Sequence, residues 1–128
     1  MISENELAKI AVDISFKIHT TLGPGLLESI YEAAFAVELK KSNIRFERQK
    51  EVHAFYDGQD LGLGFRADFI IDNKLLIELK SVELLNKVHH KTTLTYLKLT
   101  NLKLGLLINF NVELIKDGIH RKINGQLA

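Results

Sequence analysis

The 128 residues carry 17 Lys and Arg against 16 Asp and Glu, a formal charge of +1, and 46% of them are apolar. This is the balance of a soluble globular protein, and the length predicts one domain spanning 1–128 with a buried core. The absence of cysteine excludes disulfides, thiolate zinc sites and cysteine nucleophiles; a metal would need Asp, Glu, His or backbone oxygens, which favours hard cations such as Mg²⁺. The near-zero charge gives no global attraction to nucleic acid, so any such binding must come from local clusters. No apolar run approaches the roughly 18 residues of a membrane span, and MISENELAK lacks a signal peptide's apolar stretch, so a cytoplasmic protein with no membrane partner is expected.

Residues 3 to 22 read as an amphipathic helix: Ser3 and Glu6 form a capping-box pattern, and Leu7, Ile10, Ala11, Ile14 and Ile18 recur at helical spacing. Gly23, Pro24 and Gly25 end it. A second helix is expected from about Leu26 to Lys41, with Leu27, Ile30, Tyr31, Ala34 and Phe35 as its apolar face and Asn43 closing it. Ile44 to Tyr56 tends towards alternation, and Asp57-Gly58 signals a hairpin before a strand starting at Leu61. Residues 63 to 81 contain two strands joined around Asp72, Asn73 and Lys74. A third helix covers roughly Asn86 to Thr100, and Leu104 to Phe110 is a continuous apolar run that suits a strand covered on both faces. Asp117-Gly118 marks a turn before a possible edge strand through Arg121 and Ile123. The order is helix, helix, three strands, helix, strand, which fits an α/β fold with a mixed sheet and helices on its faces.

The stretch RADFIIDNKLLIELKS, residues 66 to 81, sets Asp68, Glu78 and Lys80 into strands that otherwise look buried, and buried charges need partners. Asp68 and Ile70 should share one face, and Leu76, Glu78 and Lys80 one face of the next strand. With a three-residue loop, Ile71 pairs with Leu75, which places Asp68 opposite Glu78 and Arg66 opposite Lys80. A two-residue loop would separate the two carboxylates. Two opposed carboxylates repel unless one is protonated or a cation sits between them. Mg²⁺ held by carboxylates from adjacent strands, with Lys80 pointing at water or phosphate, is an arrangement suited to phosphodiester hydrolysis. Charges in a strand are also the ordinary mark of a solvated face, and Glu28 in a first helical turn would complement the helix dipole without any further role.

Asp68 with Glu78-Leu79-Lys80, on a hairpin preceded by a helix bearing Glu28 and followed by a helix and a buried strand, resembles the PD-(D/E)XK nuclease superfamily. Within it, Gly25-Leu26-Leu27-Glu28-Ser29-Ile30-Tyr31 and the stretches RADFIID, ELKS, TYLKLT and LGLLINF resemble the GxxExxY proteins. The resemblance implies a restriction endonuclease-like three-layer α/β/α core with a central mixed sheet of four or five strands. It implies Asp68, Glu78, Glu28 and the carbonyl of Leu79 as ligands of Mg²⁺, with Mn²⁺ as a substitute, and Lys80 as the catalytic lysine. One position departs: Thr92 stands where the group carries a glutamine four residues before the tyrosine, here Tyr96. Tyr96 remains a candidate contact to the DNA backbone.

His89 and His90 are adjacent and point about 100° apart on a helix, so they read as surface or phosphate-facing groups. His19, His53 and His120 are isolated. No phosphate loop or nucleophile elbow is present. Basic residues cluster at Lys40 to Lys50, Lys87 to Lys91 and Lys116 to Lys122, and Lys87, His89 and Lys91 are the first candidates to grip a phosphate backbone. The expected function is a Mg²⁺-dependent nuclease acting on DNA, with RNA as the other polymer of that chemistry and a homodimer as a way to place two sites on two strands. The alternative is a non-catalytic nucleic-acid-binding or assembly module on the same fold.

Overall fold

The computed structural model describes residues 1–127. Helix α1 (Glu4–Leu22) begins with a reciprocal cap: Glu6 N–H donates to Ser3 Oγ at 3.1 Å, and Ser3 N–H donates to Glu6 Oε1 at 3.2 Å. Gly23, at φ +72, ends it. Helix α2 (Glu28–Lys41) starts two residues later than the spacing predicts, because Gly25, at φ +98, turns the chain out of helical geometry and leaves Leu27 as the cap residue. Its buried stripe is Tyr31, Phe35 and Leu39, each four residues after the last. That stripe sets the rotation of the helix and corrects the expected apolar face: Leu27 and Ile30 are 74% and 46% exposed. The helix closes at Ser42, one residue before the expected Asn43.

Five strands form one mixed sheet in sequence order: β1 (Phe46–Tyr56), β2 (Gln59–Ile71), β3 (Leu75–Lys80), β4 (Leu104–Asn109) and β5 (Ile119–Ile123). All neighbours are antiparallel except β3 and β4, which run parallel and are joined by α3 (Lys87–Thr100). Every residue of β4, and every residue of β3 except Lys80, is buried, as expected for central strands with both faces covered. β2 starts at Gln59 rather than Leu61, directly after the Asp57-Gly58 turn.

Helices α1 and α2 pack on one face over Phe69, Ile71, Ile77 and Leu106. Helix α3 packs on the other through Leu97, over Phe65, Ala67, Ile70 and Leu76. The result is the three-layer α/β/α arrangement with a mixed five-stranded sheet. Gly105 on β4 permits the close approach of α3, since a Cβ there would lie 3.2 Å from Leu97 Cδ2. Asn86 caps α3 through a second reciprocal pair with His89. Its threonines are accommodated by bonding back along the helix: Thr93, Thr95 and Thr100 hydroxyls donate to the carbonyls of His89, Lys91 and Tyr96. No helix among the described residues is long and apolar enough to cross a membrane.

Candidate active site

Asp72 and Asn73 both adopt positive φ, and the three-residue loop they open sets Ile71 against Leu75, Ile70 against Leu76 and Phe69 against Ile77. This is the odd-length register that brings Asp68 and Glu78 together. Regular pairing stops there. Asp68 Oδ2 instead accepts the backbone N–H of Leu79 at 2.8 Å, taking the place of a ladder carbonyl. Side-chain alternation slips at the same residue, since Ala67 and Ile70 both face α3 while Phe69 and Ile71 face the other helices. The ladder ends at Phe69 and Ile77, so the expected continuation that would set Arg66 opposite Lys80 is not made. Arg66 is exposed and lies 3.4 Å from Glu51 on β1.

Asp68 and Glu78 are 9% and 5% exposed. Burial pushes the Asp68 carboxyl above its ordinary range, and the charges of Glu32 and Glu28 push the same way, against the Leu79 hydrogen bond. Burial, followed by the charge of Asp68, pushes Glu78 up to about 9, with Lys80 opposing. Glu78 Oε1 is buried and has no hydrogen-bond partner. An unpartnered buried acceptor beside a second carboxylate is costly unless a proton or a cation joins it. Among the described residues no three His, Asp or Glu side chains are grouped to hold a metal, so the site offers two carboxylates and backbone oxygen rather than a closed cage. Glu28 sits exposed at the start of α2 and reaches Asp68 through its charge.

Two residues that periodicity does not single out belong to the site, Gln49 and Glu32. Gln49 stands opposite Asp68 by the count of the β1–β2 ladder and adopts φ +52 in mid-strand. Its Nε2 donates to Asp68 Oδ1 at 3.1 Å and to Glu32 Oε1, whose partner oxygen accepts from Arg48 Nε at 2.7 Å. A left-handed glutamine inside a strand is strained by about 1–3 kcal/mol, and it persists here where it clamps a site carboxylate. The only sequence signal was the four-residue spacing of Glu28 and Glu32, which puts both on one side of α2.

The residues around Glu28 are strapped to the end of β3. The buried Tyr31 hydroxyl donates to the Gly23 carbonyl at 2.6 Å and accepts the Leu26 N–H at 3.1 Å. The Leu26 carbonyl accepts from Ser81 Oγ at 2.7 Å, one residue beyond Lys80. The Tyr31 ring stacks on Phe110 with centroids 4.6 Å apart, and the Phe110 N–H donates to the Lys80 carbonyl at 2.9 Å. Tyr31 thus ties the entry of α2 to the lysine strand. Tyr31→Phe is expected to lower unfolding free energy by about 1–3 kcal/mol, because the Leu26 N–H and the Gly23 carbonyl both lose their partner. An unchanged urea midpoint would show the strap to be inconsequential.

Beside Glu78 and Lys80 opens a cleft of about 200 Å³ walled by His89, Thr92, Thr93 and Tyr96 of α3. His89 Nδ1 accepts the Asn86 N–H, which leaves Nε2 as the protonated nitrogen of the neutral ring. Tyr96 stacks on Phe65 with centroids 3.6 Å apart; burial and then the charges of Glu78 and Asp68 raise its hydroxyl pKa. Lys87 and Lys91 are exposed and do not line the cleft. A larger cleft of about 360 Å³ runs past Arg45, Phe46 and Asp72, where Arg45 and Asp72 pair at 3.6 Å, but it holds no unpartnered buried acid. Of the isolated histidines, His53 pairs with Asp60, His19 bonds the Val112 carbonyl, and His120 meets His90 edge to face.

Searches against curated proteins and against solved structures return no match. A family model described as the PD-(D/E)XK nuclease superfamily matches residues 5–122. The match spans both helices before the hairpin, the acid-bearing strands and the crossover helix behind them. The chain therefore belongs to the PD-(D/E)XK nuclease superfamily.

Proposed function

We propose that this chain is a metal-dependent nuclease of the GxxExxY type that hydrolyses phosphodiester bonds in DNA. The observation that carries the reading is the buried Glu78 Oε1 with no partner, beside an Asp68 whose own pKa is raised. Such a pair suits a hard cation, Mg²⁺ or Mn²⁺, which takes oxygen ligands and keeps part of its water. Asp68 and Glu78 would hold it. The N–H and C=O of a strand residue point to the same neighbour, so the Leu79 carbonyl faces the gap that Asp68 opens and adds a third oxygen. Glu28, expected as a further ligand, is not grouped with the two carboxylates and would add only its negative charge from the helix side. When bound, the cation supplies Lewis acidity at the phosphate.

Lys80 extends from β3 into the cleft, two residues beyond Glu78, where its ammonium donates to the attacked phosphate and steadies the charge that develops there. His89 and Tyr96, on the opposite wall, donate to phosphate oxygens, and Lys87 and Lys91 neutralise the strand just outside. A second copy of the chain would present two such sites to the two strands of a duplex. Gln49→Gly tests the clamp on Asp68. Glycine adopts φ +52 freely, and the strain it relieves offsets the two hydrogen bonds it loses, so the melting temperature should stay near the wild-type value while the cleavage rate falls, and an unchanged rate would remove Gln49 from the site.

One observation favours a second reading. Thr92 lies in the cleft wall, where its short hydroxyl replaces the longer amide that the resemblance leads one to expect, and a module that binds without cutting would tolerate that loss. The experiment is a Mg²⁺ and Mn²⁺ titration of wild type and Lys80→Ala against single-stranded, duplex and branched DNA, scored for strand scission. Metal-dependent scission that needs Lys80 is the expected result. DNA association that survives chelation, with no product under any condition, would replace the nuclease by the binding module.

A further inference from the structure

The formal charge of +1 conceals a division of the chain. Residues 1–79 hold nine Lys and Arg and thirteen Asp and Glu, whereas residues 80–128 hold eight and three. Ion pairing follows the same division. Among the described residues, eight of the nine cations before Lys80 lie within 4.0 Å of a carboxylate oxygen, and none of the eight from Lys80 onward does.

Several of these unpaired cations gather on the α3 layer. Helix α3 contains no acidic residue. Its outward stripe is Lys87, Lys91, Thr95 and Lys98, all exposed, while Leu97 is turned into the sheet and Leu94 packs against the same cluster. Lys122 joins them from β5. It pairs with Gly105, which faces Leu97 of α3, and its charge, after burial, helps to hold the neighbouring His90 and His120 imidazoles below their ordinary pKa. The stripe borders the cleft directly, since His89, Thr92 and Tyr96 on the inner side of the same helix form the cleft wall.

We infer that the outer face of α3, with Lys98 and Lys122, is a phosphate track along which a nucleic-acid strand leaves the cleft. This extends the nucleic-acid reading of the site above and rests on it for the identity of the polymer. Lys87 to Lys98 covers about 16 Å of helix, roughly five nucleotides at the 3.4 Å rise of one strand. Unpaired lysines spaced along an acid-free helix, with a hydroxyl between them, match a polyanion with regular charges. An anionic membrane surface would also require an apolar face for insertion; the leucines of α3 point the other way, and Val88 alone among its large apolar side chains is exposed, too little to insert.

The test measures binding rather than cleavage. Fluorescence anisotropy of a labelled oligothymidylate is followed in EDTA over a NaCl series for wild type, for Lys98→Gln/Lys122→Gln, and for Lys9→Gln/Lys40→Gln. The last pair changes net charge equally on the α1 and α2 side. The track predicts that the first pair weakens binding and lowers the slope of log K against log salt by about 0.7 for each phosphate no longer neutralised, with the control pair unchanged. Equal losses in both pairs, no loss in the first, or tighter binding to phosphatidylserine vesicles than to the oligonucleotide would each overturn it. The two readings fail separately: scission with no change in slope removes the track alone, and a changed slope with no scission removes the nuclease and keeps the track.

Discussion

Asp68→Asn is expected to reduce metal-dependent strand scission by roughly 10²–10³-fold or more while the protein stays folded. The asparagine carbonyl can still accept the Leu79 N–H, so the local backbone keeps the bond that replaces the ladder. What disappears is the negative charge that, together with Glu78, would hold the cation. Lys80→Ala should match it in size through a different route, because the carboxylates keep the metal while the phosphate loses its ammonium. Single-turnover cleavage at saturating Mg²⁺ separates the two: the Asp68 variant needs far more metal to reach its residual rate, and the Lys80 variant does not. Undiminished cleavage by Asp68→Asn would sink the assignment of the site.

The second large effect concerns stability and has the opposite sign. Glu78 ordinarily titrates near 4.5 and is pushed up to about 9, first by burial and then by Asp68. Without a cation, the folded protein therefore binds a proton that the unfolded chain releases between those values. The stability associated with that proton is full below pH 4.5 and is lost as pH rises towards 9. Asp68, also raised, works in the same direction.

Glu78→Gln keeps the volume, removes the titration and supplies a donor towards Asp68. At pH 8 in EDTA it should be more stable than wild type by at least about 1 kcal/mol, and the gap should close as pH approaches 4.5. Mg²⁺ should raise the melting temperature of wild type and leave the variant where it is, because a ligand that binds only the folded state stabilises it. Thermal melts across that pH range, with and without Mg²⁺, decide the point. A variant less stable than wild type at pH 8 would mean that the charged, metal-free carboxylate is not under strain. The expected pattern is a stability cost carried at the candidate site and recovered when a proton or the cation binds.

Much of the fold was legible because its signals are local. The cap at Ser3, the Asp57-Gly58 turn and the apolar run from Leu104 each depend on residues within a few positions of one another, as do the periods that separate helix from strand. The hairpin register belongs to the same class. A loop of Asp72 to Lys74 commits every residue counted back from it, which is why the meeting of Asp68 with Glu78 could be worked out from spacing.

The remaining features required contacts between distant segments. Whether the ladder continues past Phe69 depends on Asp68 reaching the Leu79 N–H, and that competition leaves no periodic trace. The rotation of α2 is set by Tyr31 stacking on Phe110, 79 residues away, so Leu27 and Ile30 face outward despite an apolar pattern. Gln49 reads as one polar residue in a polar strand until the fold sets it across from Asp68 and under Glu32. Thr92 and Tyr96 become cleft walls only when Gly105 lets α3 settle on the sheet. Spacing along the chain decides which elements form and how neighbouring strands align, because those energies come from near neighbours. Which side chains meet at the site is decided by packing between layers, whose energies come from residues that the chain itself keeps far apart.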